Sequence, residues 1–153
     1  MFECKSIPLL LCSILLLSSI FQHCHLYTAL FQDAKKYLEN ILNGDHGVEG
    51  IAIHDKDGCC IVKVSTPACP ESAMGVKYLS AFSVLSDQAA KMNMEKNKKI
   101  FHMYSKHQVV QFRLDPVILT VVAAASANTG YLSSLDVTLE PLLQRLQPLV
   151  RPH

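Results

Sequence analysis

The side chains able to do chemistry are few and scattered. Six cysteines stand at positions 4, 12, 24, 59, 60 and 69, and no Cys-x-x-Cys spacing occurs among them. Cys59 and Cys60 are adjacent, so on a strand they point to opposite faces and cannot grip one metal ion together. Three cysteines remain after the N-terminal stretch. That odd number argues against a disulfide framework and for reduced thiols. His23, Cys24 and His25 crowd too closely to build a tetrahedral site without outside ligands.

His54, His102 and His107 are capable of ligation or proton transfer, but no carboxylate or thiol nearby in sequence completes a site. They read as ordinary strand and turn histidines. Asp55 and Asp57 lie in Asp-Lys-Asp-Gly, which lacks the remainder of a calcium loop and reads as a hairpin turn. Lys96, Lys98 and Lys99 form a basic run that reads as a solvated turn rather than a phosphate site. No phosphate-binding glycine loop, His-Glu-x-x-His or Gly-x-Ser-x-Gly pattern is present. The expectation is a chain without catalytic residues, cofactor or metal. With 14 basic and 13 acidic residues and no tryptophan, it offers neither the charge nor the stacking surface that nucleic acid needs.

What remains to be explained is apolar surface and the elements that carry it. Half of the 153 residues are hydrophobic and 18% are charged, a balance suited to one packed domain. Residues 32–42 place Ala34, Leu38, Ile41 and Leu42 at helical spacing. Asp33 is the expected N-terminal acid, and Asn43-Gly44 the stop. Residues 48–54 and 59–65 read as strands joined by the Asp57-Gly58 turn. Residues 66–75, with Pro67, Pro70 and Gly75, read as a loop.

Residues 77–93 are the clearest helix. Leu79, Phe82, Leu85, Ala89 and Met92 fall three and four apart in one apolar stripe. Residues 100–104 and 107–114 read as paired strands, and Asp115-Pro116 interrupts them. Residues 117–125 are almost continuously apolar and fit a central strand covered on both faces. The last helix carries Leu132, Leu135, Leu139, Leu142, Leu146 and Leu149. That spacing suits a short coiled-coil seam or, better, a helix lying on a sheet. Pro141 predicts a kink.

Residues 1–31 do not match the rest. The run from Ile7 to Phe21 is about fifteen residues long, short of the roughly 20 a spanning helix needs. Lys5 precedes it, as in a signal peptide. Three readings stand: a secretory signal or short anchor, an extension outside the fold, and a buried helix. The domain proper is expected over residues 32–153.

The order helix, strand, strand, helix, three strands, helix resembles the Roadblock family of dynein-light-chain-like α/β domains. Particular segments are similar to its MAPK-scaffold members, which serve in Ragulator complexes. These are Leu79-Ser80-Ala81-Phe82, Ser86-Asp87-Gln88, Lys96-Asn97-Lys98, Tyr104, Gln108-Val109-Val110-Gln111-Phe112, and Ser126-Ala127-Asn128-Thr129-Gly130 followed by Leu135, Leu139, Pro141 and Leu142. The resemblance implies an α+β fold in which a five-stranded antiparallel sheet lies between a long middle helix and the terminal helices. It further implies a non-catalytic adaptor that heterodimerises with a second Roadblock-type Ragulator subunit. The pair would sit on the cytosolic face of late endosomes and lysosomes with a lipidated anchoring subunit, serving Rag GTPases with mTOR complex activation and the MEK and ERK kinases. A hydrophobic segment before Asp33 and the Cys59-Cys60 pair are not part of that pattern. The first keeps a secreted or membrane-anchored small domain as the alternative.

One region carries the pairing expectation on physical grounds as well. The strand over 100–104 pairs forward with its successor, which leaves its other edge free. An apolar free edge is an association hazard unless a partner covers it; the plain alternative is an edge that is short or masked by Lys98 and Lys99. The expected partner interface is Leu79, Phe82, Leu85 and Ala89 on the middle helix with Ile100, Phe101, Met103 and Tyr104 on the strand.

Overall fold

A computed structural model describes residues 29–146. The apolar run between Ile7 and Phe21, the His23-Cys24-His25 cluster and Leu149 lie outside those residues. The chain divides into two units, 1–33 and 34–153. Helix α1 occupies residues 29–42 among those described, so Asp33 sits within it and is not its N-cap. Then follow β1 (Val48–Asp55), β2 (Cys60–Ser65), a 3-10 turn (Glu71–Met74), α2 (Val76–Ala90), β3 (Lys99–Met103), β4 (His107–Leu114), β5 (Val117–Ala124) and α3 (Thr129–Leu146).

The five strands form one antiparallel sheet in the order β2-β1-β5-β4-β3. The apolar run becomes β5, the central strand. Its residues from Leu119 to Ala123 are all buried, because helices cover both faces. β4 and β5 are joined by a tight turn at Asp115-Pro116, whose peptide bond is cis, and Leu114 pairs with Val117 across it. At the β1–β2 hairpin Gly58 has φ of 85°, a left-handed conformation that glycine adopts without a Cβ clash. There Asp55 Oδ1 accepts from the N–H groups of Asp57 (3.0 Å) and Cys59 (2.8 Å), so the aspartates serve the turn.

Strand alternation sorts side chains onto the two faces. Ala52, Val109 and Val122 meet Ala73 and Met74 on the α2 face. The 3-10 turn holding those last two residues stands where a plain loop was expected. Met74 and, just before the turn, Cys69 cover the sheet so closely that a Cβ on Gly50 would lie 2.7 Å from Cys69 Sγ and 2.9 Å from Met74 Sδ. On the opposite face α3 buries Leu132, Leu135, Leu139, Leu142, Leu143 and Leu146. Each buried leucine contributes about 1.5–3 kcal/mol, and this settles the seam as a domain helix on its own sheet. α1 shares that face: Ala34 and Leu38 are buried, and the Tyr37 hydroxyl donates to the Thr138 carbonyl at 3.1 Å.

α2 departs from its expected stripe. It ends at Ala90, and Met92 lies beyond it, before Asn93 and Glu95 adopt positive φ. Its buried residues are Leu79, Phe82 and Ser86. A serine completes the inward line, and Leu85, about 100° away around the helix, is left outside.

Candidate functional site

The flank where α2 meets β3 combines a free strand with an exposed helix face. β3 pairs only with β4 among the described strands and is therefore a sheet edge. Phe101 is opposite Val110 and Met103 is opposite Gln108, so both point to the α3 side. Ile100, His102 and Tyr104 point to the α2 side by alternation. Phe101 is 38% exposed, Met103 64% and Tyr104 51%. Ile100 is half-buried. The edge is thus apolar on both of its faces.

α2 is fixed beside this edge by polar contacts. The Tyr78 hydroxyl donates to that of Tyr104 at 2.6 Å. The Tyr78 ring also stands edge-on to His102, with centroids 5.7 Å apart. His102 Nε2 and Gln111 Oε1 are 3.1 Å apart, and Gln111 Nε2 donates to the Tyr78 carbonyl and to Thr120 Oγ1, both at 3.4 Å. Burial raises the Tyr78 phenol well above its ordinary value, and donation to Tyr104 adds to that. Leu85 and Ala89 lie seven and eleven residues beyond Tyr78. Both spacings return to within about 20° of the same direction on a helix. Leu85, 43% exposed, and half-buried Ala89 therefore share Tyr78's flank, on the side of β3.

The structure splits the eight residues expected at the interface. Leu85, Ala89, Ile100, Phe101, Met103 and Tyr104 form one flank with accessible surface. Leu79 (6% exposed) and Phe82 (0%) face the chain's own sheet, where Arg113 lies over the Phe82 ring at 5.8 Å. Those two seat the helix. Lys99 does not mask the edge either. Its ammonium bonds Asp136 Oδ2 at 2.8 Å and the Ser133 carbonyl at 2.9 Å on the α3 side, above the Phe112 ring.

Two contacts escaped sequence reasoning. His107, expected to have no carboxylate, has Glu49 Oε2 at 2.8 Å from Nδ1. The two are 58 positions apart, and only the sheet register brings them together. Gln108, 3% exposed, gives its amide to the carbonyls of Ala125 (2.8 Å) and Ala127 (2.9 Å) and accepts from Thr129 Oγ1 (3.0 Å). The two segments that carried the resemblance, around Gln108 and around Ala127, are thus one bonded unit. Among the described residues no group of three or more His, Cys, Asp or Glu side chains could hold a metal ion. No described helix is long and apolar enough to cross a membrane.

Comparison with known proteins places these features. A family model described as mitogen-activated protein kinase kinase 1 interacting matches residues 32–150. The Ragulator complex protein LAMTOR3 of Homo sapiens is 37% identical over 118 residues, covering 77% of this chain and 95% of that protein. LAMTOR3 of Gallus gallus is 36% identical over the same length and coverage. Among solved structures, the gliding protein MglB of Thermus thermophilus superposes with a TM-score of 0.63 at 14% identity, covering 77% of this chain and 90% of that one. MglB of Myxococcus xanthus gives 0.59 at 13% identity, over 81% and 96%. A Roadblock/LC7 domain from Streptomyces avermitilis gives 0.50 at 13% identity, over 78% and 93%. At such identities the structural likeness speaks for the fold.

Proposed function

The chain belongs to the mitogen-activated protein kinase kinase 1 interacting family, and from that membership we propose how it works: as a Ragulator scaffold that pairs through the α2–β3 flank. It is a non-catalytic adaptor of the Ragulator type, and its fold is the Roadblock/LC7 α+β fold. Its partners are proteins, and its association is with late endosomes and lysosomes.

In this proposal a second Roadblock-type subunit lays its own edge strand along β3 and extends the sheet. Leu85, Ala89, Ile100 and Tyr104 pack against it on the α2 side, and Phe101 and Met103 on the other. Residues 32–153 form the assembling unit, with residues 1–31 outside it. The pair stands on the cytosolic face of the membrane through a lipidated anchoring subunit, and its remaining surface meets Rag GTPases and the MEK and ERK kinases.

One observation carries this reading: a sheet edge with Phe101, Met103 and Tyr104 exposed, bonded side by side to a helix that exposes Leu85. Such an edge left bare favours uncontrolled association. Co-expression of the full chain with a Roadblock-type Ragulator subunit tests it. A one-to-one complex by native mass is expected for the wild type, and its loss in a Leu85→Asp, Met103→Asp double variant that keeps its circular dichroism. A double variant that pairs as well as the wild type would remove the flank from the interface.

A further inference from the structure

α2 has a second flank. Val76, Ser80, Ser83 and Val84 stand at steps of three and four, on one side of the helix. Leu85 lies nine residues beyond Val76, a turn of about 180° around the helix, so this flank is opposite the one that borders β3. With the β1–β2 hairpin and the β4–β5 turn it encloses a groove of about 570 Å³. Val76 and Val84 line the groove and are 63% and 58% exposed. Aliphatic side chains so exposed beside a concave surface gain by being covered.

Arg113 lines the same groove. It shares the α2 side of β4 with Gln111 by alternation. It is half-buried, and its guanidinium sits over the ring of the fully buried Phe82. Packing thus holds the cation in place. Among the described residues no carboxylate pairs with it. A half-buried guanidinium without a counterion keeps its fork of N–H donors for an incoming acceptor. The other charges select that acceptor. Asp55, Asp57 and Asp115 line the groove with Lys56, and one Asp55 oxygen is taken by the N–H groups of the hairpin. Carboxylates so near repel a phosphate dianion more strongly than a single carboxylate. Nucleic acid and anionic lipid are disfavoured for the same reason.

We propose that this groove docks a segment of a partner protein in which one aspartate or glutamate stands between aliphatic side chains. The carboxylate takes two parallel N–H donors of Arg113, the pairing for which a planar guanidinium is suited. The aliphatic neighbours cover Val76 and Val84. The two flanks of α2 face opposite ways, so the chain can hold this segment and the Roadblock-type subunit at once, which is what a scaffold requires.

The test uses the full chain and a synthetic probe, acetyl-Leu-Val-Glu-Leu-Val-amide, with two analogues that carry glutamine or phosphoserine in place of the glutamate. Binding is followed by amide chemical shifts. The glutamate probe is expected to move the signals of Ser83, Val84 and Arg113 and to leave those of Phe101 and Met103 unmoved. Arg113→Gln removes the charge and keeps part of the stem over Phe82, and Val84→Ser changes an exposed position only. Each is expected to weaken the glutamate probe by about tenfold. Both variants are expected to keep the circular dichroism of the wild type and to pair with the Roadblock-type subunit as it does, so failure here is distinguishable from failure of the pairing surface. Should Arg113→Gln unfold, Val84→Ser and the glutamine analogue still decide. Equal or tighter binding of either analogue, shifts confined to the α2–β3 flank, or undiminished binding by the folded variants would overturn the proposal, as would no binding at all.

Discussion

The Tyr78 hydroxyl sits 2.6 Å from that of Tyr104, and this contact joins the middle helix to the free edge of the sheet. Neither residue alone makes a surface for pairing. Joined, they set the exposed side of α2 and the exposed side of β3 next to one another as one continuous flank.

Tyr104→Phe removes that bond and keeps the ring. The expected loss of stability is small, about 0.5–1.5 kcal/mol, as for one hydrogen bond. Amide exchange across residues 99–103 should quicken more than exchange across β5. Equal protection of β3 in variant and wild type would show that the tyrosine pair does not hold the edge.

Phe82 and Leu85 should behave oppositely. Phe82 is fully buried beneath α2, so Phe82→Asp puts a carboxylate in the core, its charge offset only in part by Arg113, and a cavity around it, at a cost above about 3 kcal/mol. The isolated chain is expected to unfold or aggregate. Leu85→Asp lies at the surface and should leave the free energy of unfolding within about 0.5 kcal/mol of the wild type, while reducing pairing. If both variants unfold alike, Leu85 is a core residue in solution and the assignment of the flank fails.

Much of this was legible in the sequence, for a physical reason. Element type follows periodicity. The apolar run of β5, the leucine spacing of α3 and the Asp57-Gly58 turn each dictate one local answer. The two faces of α2 were harder. Leu79, Phe82, Leu85 and Ala89 share a stripe about 100° wide, and its inner half lies on the chain's own sheet while its outer half looks outward. Hydrophobicity does not say whose surface covers a leucine. Ser86, polar yet buried, points inward with Leu79 and Phe82 and marks the true inner line. His107 with Glu49 was invisible because strand register, not sequence spacing, creates it. The importance of Gln108 was visible only as a motif, and its cause is the hydrogen bonding to the Ala125 and Ala127 carbonyls and to Thr129 at the start of α3.

Gln108→Leu tests that cause. Leucine fills similar space but leaves the Ala125 and Ala127 carbonyls and the Thr129 hydroxyl without their partner. The expected cost is about 1–3 kcal/mol, read from chemical denaturation, with faster amide exchange at the start of α3. A variant as stable as the wild type would mean that solvent replaces the glutamine fully.

Lys99 links β3 to α3 through Asp136 and Ser133 and lies 5.4 Å from the Phe112 ring centroid. Lys99→Met keeps the aliphatic stem and removes the charge, leaving a largely buried Asp136 carboxylate unpaired. A loss of about 1–3 kcal/mol is expected, most of it recovered by adding Asp136→Leu, because the double change removes the orphaned carboxylate. A thermodynamic cycle that shows simple additivity would deny the coupling.

His54 gives the fold a pH dependence of defined sign. It is 3% exposed, its Nδ1 lacks a hydrogen-bond partner, and burial lowers its pKa from the ordinary histidine value, against a smaller opposing pull from Asp55. Asp55 and Lys63 are the charged groups that act on it. Below about pH 6.5 the unfolded chain takes up a proton that the folded chain resists. The folded state therefore loses stability as pH falls through 6.5, the usual histidine value, and goes on losing it until the lowered folded value is reached. Above that window the contribution is constant. Denaturant midpoints measured from about pH 7.5 to about pH 5.5, a span that brackets the ordinary histidine value, should fall in the wild type and fall less in His54→Leu, which has no proton to take up. Parallel curves for the two proteins would place the acid sensitivity elsewhere.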